Sequence, residues 1–279
     1  MFVRIKMDYS VIIPAYNRAH VLAKALDSVL NQTVKAVEVI VVDDGSSDQT
    51  QALIVNNYPE VILLTQTNQG VSAARNAGFS KVTTDWIALL DSDDEWLPKK
   101  MELQLNELKK TGLKVCHCEE FWVRNGVRVN AKNKHKKKRG DIFSDCLHLC
   151  AMSPSSIVLH RDIWQEFDGF DERFIVCEDY DLWLRLCVKY HVALIDEPQV
   201  RKYGGHADQL SRQYFGMDKY RVLAMQKLLD ENLSRDKSEQ LNDVLQKKLV
   251  ILHQGALKHD NRELLKFCEQ RKHLFEMNK

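Results

Sequence analysis

The chain has 279 residues, 44% hydrophobic and 28% charged, with 11 Gly and 5 Pro. That composition excludes collagen-like, low-complexity and coiled-coil chains and allows a full hydrophobic core. Forty basic residues against thirty-nine acidic ones leave a formal charge of +1, so no whole-molecule field draws the protein to nucleic acid or anionic lipid.

The first ~120 residues alternate short β-branched runs with stretches of helical spacing, the pattern of βαβ units around a mainly parallel sheet flanked by helices. Strands are expected at Ser10 to Ile13, Val37 to Val42, Val61 to Leu64, Trp86 to Leu90 and Val115 to Cys118. Val21, Leu22, Ala25, Leu26, Val29 and Leu30 share one face of a helix, and Val71 to Phe79 and Met101 to Leu108 continue the theme. The sequence FWVRNGVRV sets two alternating arms around Asn125-Gly126, which predicts a type I′ hairpin. The basic run Ala131 to Gly140 predicts a solvated loop, serving as a lid or as a docking patch for an anionic acceptor or membrane surface. Core character returns at Ser155 to Leu159, in a helix over Tyr180 to Tyr190 and in a strand over Val192 to Ile195. From Gly216 leucines recur at helical spacing, which divides the chain into a domain of residues 1–215 and a helical extension of 216–279. The extension is expected to pack on the domain, with a homodimer contact or an interfacial helix as the alternatives. Seven cysteines, and a start without the apolar stretch of a secretory signal, indicate a cytoplasmic protein.

The chemistry gathers where strands end. Val11 to Ile13 run into Pro14, Ala15, Tyr16 and Asn17, at the edge where open α/β sheets bind ligands. The second strand closes in Asp43-Asp44-Gly45-Ser46-Ser47-Asp48. Ser46, Ser47 or Asp48 suits a helix cap. Two acids at a strand end are poorly placed for burial, so at least one is expected to face the cleft and accept from a base or ribose. Asn68 to Gly78 combines small residues, which let a helix approach closely, with Arg75, placed to meet a phosphate. Asp91, Ser92, Asp93, Asp94 and Glu95 put four carboxylates in five residues. Such a cluster repels itself unless a hard cation, Mg²⁺ or Mn²⁺, sits among the oxygens, although one or two of the acids could instead cap the helix near Pro98. Cys116 and Cys118, with Cys146, His148 and Cys150, read as core residues rather than as a zinc site.

The motifs IIPAYNRA, VDDGSSD, NQGVSAARNAG and LLDSDDEW, in this order, resemble glycosyltransferase family 2, inverting nucleotide-sugar enzymes of the GT-A fold, over residues 8–212. The resemblance implies a nucleotide-diphosphate sugar donor, a UDP-sugar favoured, held by the first loop with Asp44, Asn68, Arg75, Asp91 and Ser92. It implies Mn²⁺ or Mg²⁺ bound by Asp93 and by His206, in a segment similar to the family's His-x-x-x-x-Ser. Asp179, the second acid of Glu178-Asp179, takes the place of the general base, while Glu178 also reads as a helix cap. The implied reaction moves one sugar to a saccharide or lipid-linked saccharide acceptor in surface-polysaccharide or glycan biosynthesis, in the cytoplasm or peripherally at the membrane. The lack of a transmembrane channel speaks against a processive polymerase. A catalytically silent nucleotide-sugar or carbohydrate-binding protein is the alternative. A nucleotidyltransferase or dehydrogenase would need a glycine-rich loop where this chain reads PAYNRA.

Overall fold

In the computed structural model residues 7–124, 126–129, 136–204 and 216–276 are described. The strands are β1 (Tyr9–Ala15), β2 (Glu38–Asp43), β3 (Ile62–Thr65), β4 (Trp86–Leu89), β5 (Glu95–Trp96), β6 (Val115–Arg124), β7 (Val127–Val129), β8 (Val158–His160) and β9 (Ala193–Gly204). Among the described residues they form one sheet in the order β3-β2-β1-β4-β8-β6-β9-β5, with β7 paired to β6. The β3-β2-β1-β4 half is parallel throughout. In the other half β8 runs antiparallel to both β4 and β6, while β6 and β9 are parallel. The hairpin arms pair as the sequence suggests, with Trp122 opposite Val129 and Arg124 opposite Val127; Asn125 lies outside the described residues.

Period-two alternation on β1 divides the core in two. Val11 and Ile13 join Val39, Val41, Ala88 and Leu90 in one cluster, and Ile12 joins Ile40, Val42, Ile87 and Leu89 in the other. Every one of these is buried, as parallel strands covered on both faces require. The first cluster is closed by α1 (Leu22–Leu30) and α4 (Lys100–Thr111), and α2 (Thr50–Asn57) adds Ile54. Leu22, Ala25, Leu26 and Val29 supply the buried face of α1. The second cluster is covered by α3 (Val71–Phe79), α5 (Phe143–His148), α6 (Arg161–Glu166) and α7 (Glu178–Lys189). The C-terminal helices α8 (Met217–Lys227), α9 (Arg235–Lys258) and α10 (Arg262–Glu276) add Val222, Met225, Leu241, Leu245 and Phe267 to that same cluster. The expected boundary at residue 215 falls at the end of residues 205–215, outside the described residues. Among the described residues no helix is long and apolar enough to cross a membrane.

Candidate active site

A cleft of about 1710 Å³ opens along the carboxyl ends of β1, β2 and β4 and is closed on the far side by the start of α7. Pro14, Ala15, Tyr16 and Asn17 form one wall; Asp44, Asn68 and Arg75 follow, then Asp91, Ser92 and Asp93, then Asp179. His206 lies outside the described residues.

The first wall is stitched to its neighbour. Asn17 takes a left-handed backbone at φ 54°, a conformation an Asn tolerates better than most residues. Its amide donates to Ser46 Oγ at 2.7 Å, and its Oδ1 accepts the Ser47 amide at 2.8 Å. The Arg18 amide donates to Thr50 Oγ1 at 2.8 Å. Asp48, whose Oδ1 accepts the Thr50 amide at 2.9 Å, anchors the start of α2. The loops after β1 and β2 are therefore tied together by side-chain hydrogen bonds.

The Asp43-Asp44 pair corrects the expectation that strand-end acids resist burial, since both are buried. Asp43 Oδ2 accepts from Gln51 Nε2 at 2.6 Å, while its Oδ1 is buried with no partner. Asp44 reaches the cleft wall, but as a brace: Oδ1 accepts from Gln66 Nε2 at 2.7 Å and the Gln69 amide at 2.9 Å, and Oδ2 from the Gly70 amide at 2.8 Å. Backbone N–H groups of the loop ahead of α3 fold over the strand end, and hydrogen bonding offsets the cost of burying the charge.

Arg75 differs from expectation as well. Rather than waiting for a phosphate, its Nη1 donates to Glu178 Oε1 at 2.7 Å and its Nη2 to Asp91 Oδ1 at 2.8 Å, with the guanidinium 4.9 Å from the Phe170 ring centre. Its Nε is buried without a partner. The fork geometry of arginine lets one side chain tie the end of β4 to the first residue of α7. Burial works against the Arg75 charge, yet Asp91 and Glu178 hold its pKa above the ordinary value.

The acid cluster is likewise less bare than its sequence suggests. Lys202, on β9, has a side chain only 15% exposed and places Nζ 3.2 Å from Asp94 Oδ2 and 3.8 Å from Asp91 Oδ2. Asp94 is buried and also accepts from Ser155 Oγ at 2.6 Å. The cluster thus carries protein cations of its own, which corrects the premise that a metal ion alone relieves its repulsion. Burial works against the Asp91 charge, but Arg75 and Lys202 keep its pKa below the usual carboxylate range. Burial pushes Asp94 up to about 7 against the pull of Lys202. Asp93 is raised by burial and by the charge of Asp91, and among the described residues no other side chain hydrogen-bonds to it. Glu95 turns away to Arg201 Nη1 at 2.6 Å and Tyr203 Oη at 2.8 Å.

At the start of α7 the two acids part. Glu178 is committed to Arg75; burial and the neighbouring Asp179 push it up to about 7. Asp179 accepts the Tyr180 amide at 2.7 Å on Oδ1 and the Cys150 thiol at 3.2 Å on Oδ2. Burial and Asp179 both raise the Cys150 pKa, so the thiol keeps its proton.

Two further cleft residues escaped the sequence reading, Lys202 and Glu120, and Lys137 was seen only as part of the basic run. Register shifts between Cys118 and Glu119 and between Glu119 and Glu120 reset the pairing of β6 with β9, the kind of irregularity that re-aims side chains. Glu120 then meets Lys137 Nζ at 3.0 Å, and burial notwithstanding, Lys137 and Lys202 bring its pKa down to about 2. In the described end of the basic run, Lys136 to Arg139, the expectation of a solvated segment holds for the exposed Lys136, Lys138 and Arg139 and fails at Lys137. Lys137 is buried, Lys138 Nζ lies 2.6 Å from Asp145 Oδ1 and Arg139 pairs with Asp196. His117, fully buried, meets the Lys138 carbonyl with Nε2 at 2.7 Å. Among the described residues no disulfide joins any of the seven cysteines, and no group of three His, Cys, Asp or Glu is arranged to hold a metal ion.

With this geometry in hand, comparison with known proteins is direct. The model of the family described as Glycosyl transferase family 2 matches residues 10–167. A UDP-Glc:alpha-D-GlcNAc-diphosphoundecaprenol beta-1,3-glucosyltransferase, WfgD of Escherichia coli, is 30% identical over 68% of this chain and 74% of its own. An uncharacterized glycosyltransferase of Rickettsia prowazekii is 31% identical over 63% of this chain, which spans 57% of that protein's length. Among solved structures, S. aureus TarS 1-349 in complex with UDP-GlcNAc superposes with a TM-score of 0.70 at 20% identity, covering 87% of this chain and 72% of that one. The mannosyltransferase PcManGT of Pyrobaculum calidifontis, in complex with GDP-Man and Mn²⁺, gives 0.62 at 14%, covering 95% and 86%. The fold is GT-A, with the cleft at the carboxyl edge of its parallel half. A family model that covers more than half of the chain, together with a relative matched over most of its own length, shows that this protein belongs to glycosyl transferase family 2.

Proposed function

We propose that the protein transfers a single sugar from a nucleotide-diphosphate sugar, a UDP-sugar first among them, to a saccharide or lipid-linked saccharide acceptor, with inversion at the anomeric carbon and with Mn²⁺ or Mg²⁺. The observation that carries this reading is the convergence of the β1, β2 and β4 ends on the start of α7 in one cleft, joined beneath by Arg75. It draws support from the names of the similar proteins, which include a UDP-Glc donor with a diphosphoundecaprenol-linked acceptor, and complexes with UDP-GlcNAc and with GDP-Man and Mn²⁺.

On this reading Pro14 to Asn17, Asp44 and Asn68 enclose the nucleoside, and Asp44 Oδ2, which accepts one hydrogen bond, keeps a site for a base or ribose donor. Asp91 and Ser92 underlie the ribose and diphosphate. Arg75 acts from behind, as a positioning residue for Asp91 and Glu178. Asp179 accepts the proton of the acceptor hydroxyl while that oxygen bonds to the anomeric carbon. The carbon–oxygen bond to the diphosphate breaks, and the diphosphate leaves with the electron pair. A hard cation would be held at Asp93, a carboxylate that lines the cleft and to which no other described side chain hydrogen-bonds; His206, outside the described residues, would be a further ligand. A bound divalent ion would neutralise charge on the diphosphate.

Thermal unfolding in the presence of UDP, dTDP, GDP or CMP, each with and without Mn²⁺, tests this. One diphosphate at a hundred times its dissociation constant should add about 2.7 kcal/mol in the presence of the ion. Absence of any shift across the panel would leave the reading without its donor.

A further inference from the structure

Opposed charges alternate along the cleft. Lys137 contacts Glu120 at 3.0 Å; Lys202 lies 3.2 Å from Asp94 and 3.8 Å from Asp91; Asp91 meets Arg75 at 2.8 Å, and Arg75 meets Glu178 at 2.7 Å. Lys202 links the two groups, since its charge also acts on Glu120. It comes from β9, at a position paired with Trp122 of β6, and its Nζ stands 5.8 Å from the Trp122 ring centre. The indole flank and Asp94 leave the ammonium little freedom, and the strand pairing fixes the backbone it springs from.

We infer that Lys202 is a positioning residue for the donor: a resident cation that holds the Asp91–Asp94 turn in place and offsets its charge, so that the nucleotide diphosphate meets a turn whose charge is already partly balanced. This rests on the glycosyl-transfer reading above. It has an uncommon signature, because the two partners of the site carry opposite charge. Taking away a fixed positive charge beside Asp91 and Asp94 strengthens attraction for a divalent cation and weakens attraction for a diphosphate. A residue that merely supports the fold would, when lost, weaken both.

Lys202→Met and Lys202→Arg are compared with wild type in two titrations: Mn²⁺ alone, followed by the electron spin resonance of the free ion, and the donor nucleotide identified by the panel, by calorimetry at saturating Mn²⁺. For Lys202→Met the Mn²⁺ dissociation constant is expected to fall several-fold and the nucleotide dissociation constant to rise roughly tenfold, the size of one charge-assisted contact. Lys202→Arg keeps the charge and returns both towards wild type. Steady-state kinetics adds a third readout, in which the donor KM rises more than the acceptor KM. Both ligands weakening together, or neither changing, overturns the inference. Failure of the wild-type protein to bind any nucleotide would instead overturn the functional reading itself. Should Lys202→Met fail to fold by circular dichroism, Lys202→Gln, which keeps a donor without the charge, replaces it in the same two titrations.

Discussion

Asp179 and Glu178 share the first turn of α7 yet have different partners: Glu178 is held by Arg75, whereas Asp179 has the Cys150 thiol and a backbone amide. Asp179→Asn preserves the shape and one acceptor oxygen, enough for the Tyr180 amide, but cannot take up a proton. Transfer is expected to fall by roughly 10²–10⁴, the range for a lost general base, while nucleotide affinity stays within about twofold of wild type; kcat and calorimetry measured on the same preparation check this. Comparable activity would remove Asp179 from the base role. His117 offers an independent test by stability. Burial lowers its pKa to about 3, with Lys137 adding to the effect, so folding keeps the imidazole neutral. Stability from this residue is fully present above its unfolded pKa of about 6.5 and declines as pH falls from there towards 3. Between pH 7 and pH 5 the loss amounts to roughly 2 kcal/mol. His117→Gln, which keeps a donor for the Lys138 carbonyl, should flatten that part of the profile in urea unfolding at the two pH values; an equally steep profile would mean that other groups cause it.

Helix α3 carries Arg75 to the site because it lies close against the sheet, and Gly78 makes the close approach possible. A Cβ there would stand 2.5 Å from Ile12 Cγ2 and 3.2 Å from Val42 Cγ2, both on fully buried side chains. Gly78→Ala gains about 1 kcal/mol in helix propensity and loses about 1–3 kcal/mol to overpacking. The expected result is a lower urea midpoint with unchanged slope, and a raised midpoint would show that α3 can shift outwards. This element was legible beforehand, since the small residues of Asn68 to Gly78 announce close packing. So were β1, β2 and β4, whose runs of Val and Ile can be buried only in a covered parallel sheet. The β6–β9 pairing was not. Its first residues read as an ordinary strand, but Glu120 and Lys202 belong to no motif, and their meeting depends on register shifts that local pattern does not encode. The positions of Asp44 and Arg75 were legible and their bracing partners within the chain were not, because hydrogen bonds from the Gln69 and Gly70 amides and from Arg75 to Glu178 cross 25, 26 and 103 residues of chain.

At the scale of the whole chain, α7 is held from both ends by the C-terminal helices. Near its start the Cys177 thiol contacts the Met217 carbonyl, and Lys227 Nζ lies 2.7 Å from the buried Asp181 Oδ1. At its other end Lys237 Nζ donates to the carbonyls of Cys187 at 3.2 Å and Val188 at 3.0 Å, where a cation also suits the helix dipole. Removing residues 216–279 strips Val222, Met225, Leu241 and Leu245 from the cluster that includes Tyr180 and Trp183. The fragment of residues 1–215 is expected to lose its near-ultraviolet circular dichroism and its nucleotide-dependent stabilisation together; a cooperative fragment that binds nucleotide would establish the extension as a separate unit. Leucine spacing disclosed the helices but not this attachment, because periodicity reports that a face is apolar and says nothing of what covers it.

The row of opposed charges from Lys137 to Glu178 has an effect beyond the contacts it makes. Neighbouring plus and minus cancel within a short distance, so little potential from that row reaches past the rim into the surrounding electrolyte. Encounter with a doubly negative metabolite then owes little to long-range guidance from these groups; they select it at touching distance, after diffusion has already delivered it.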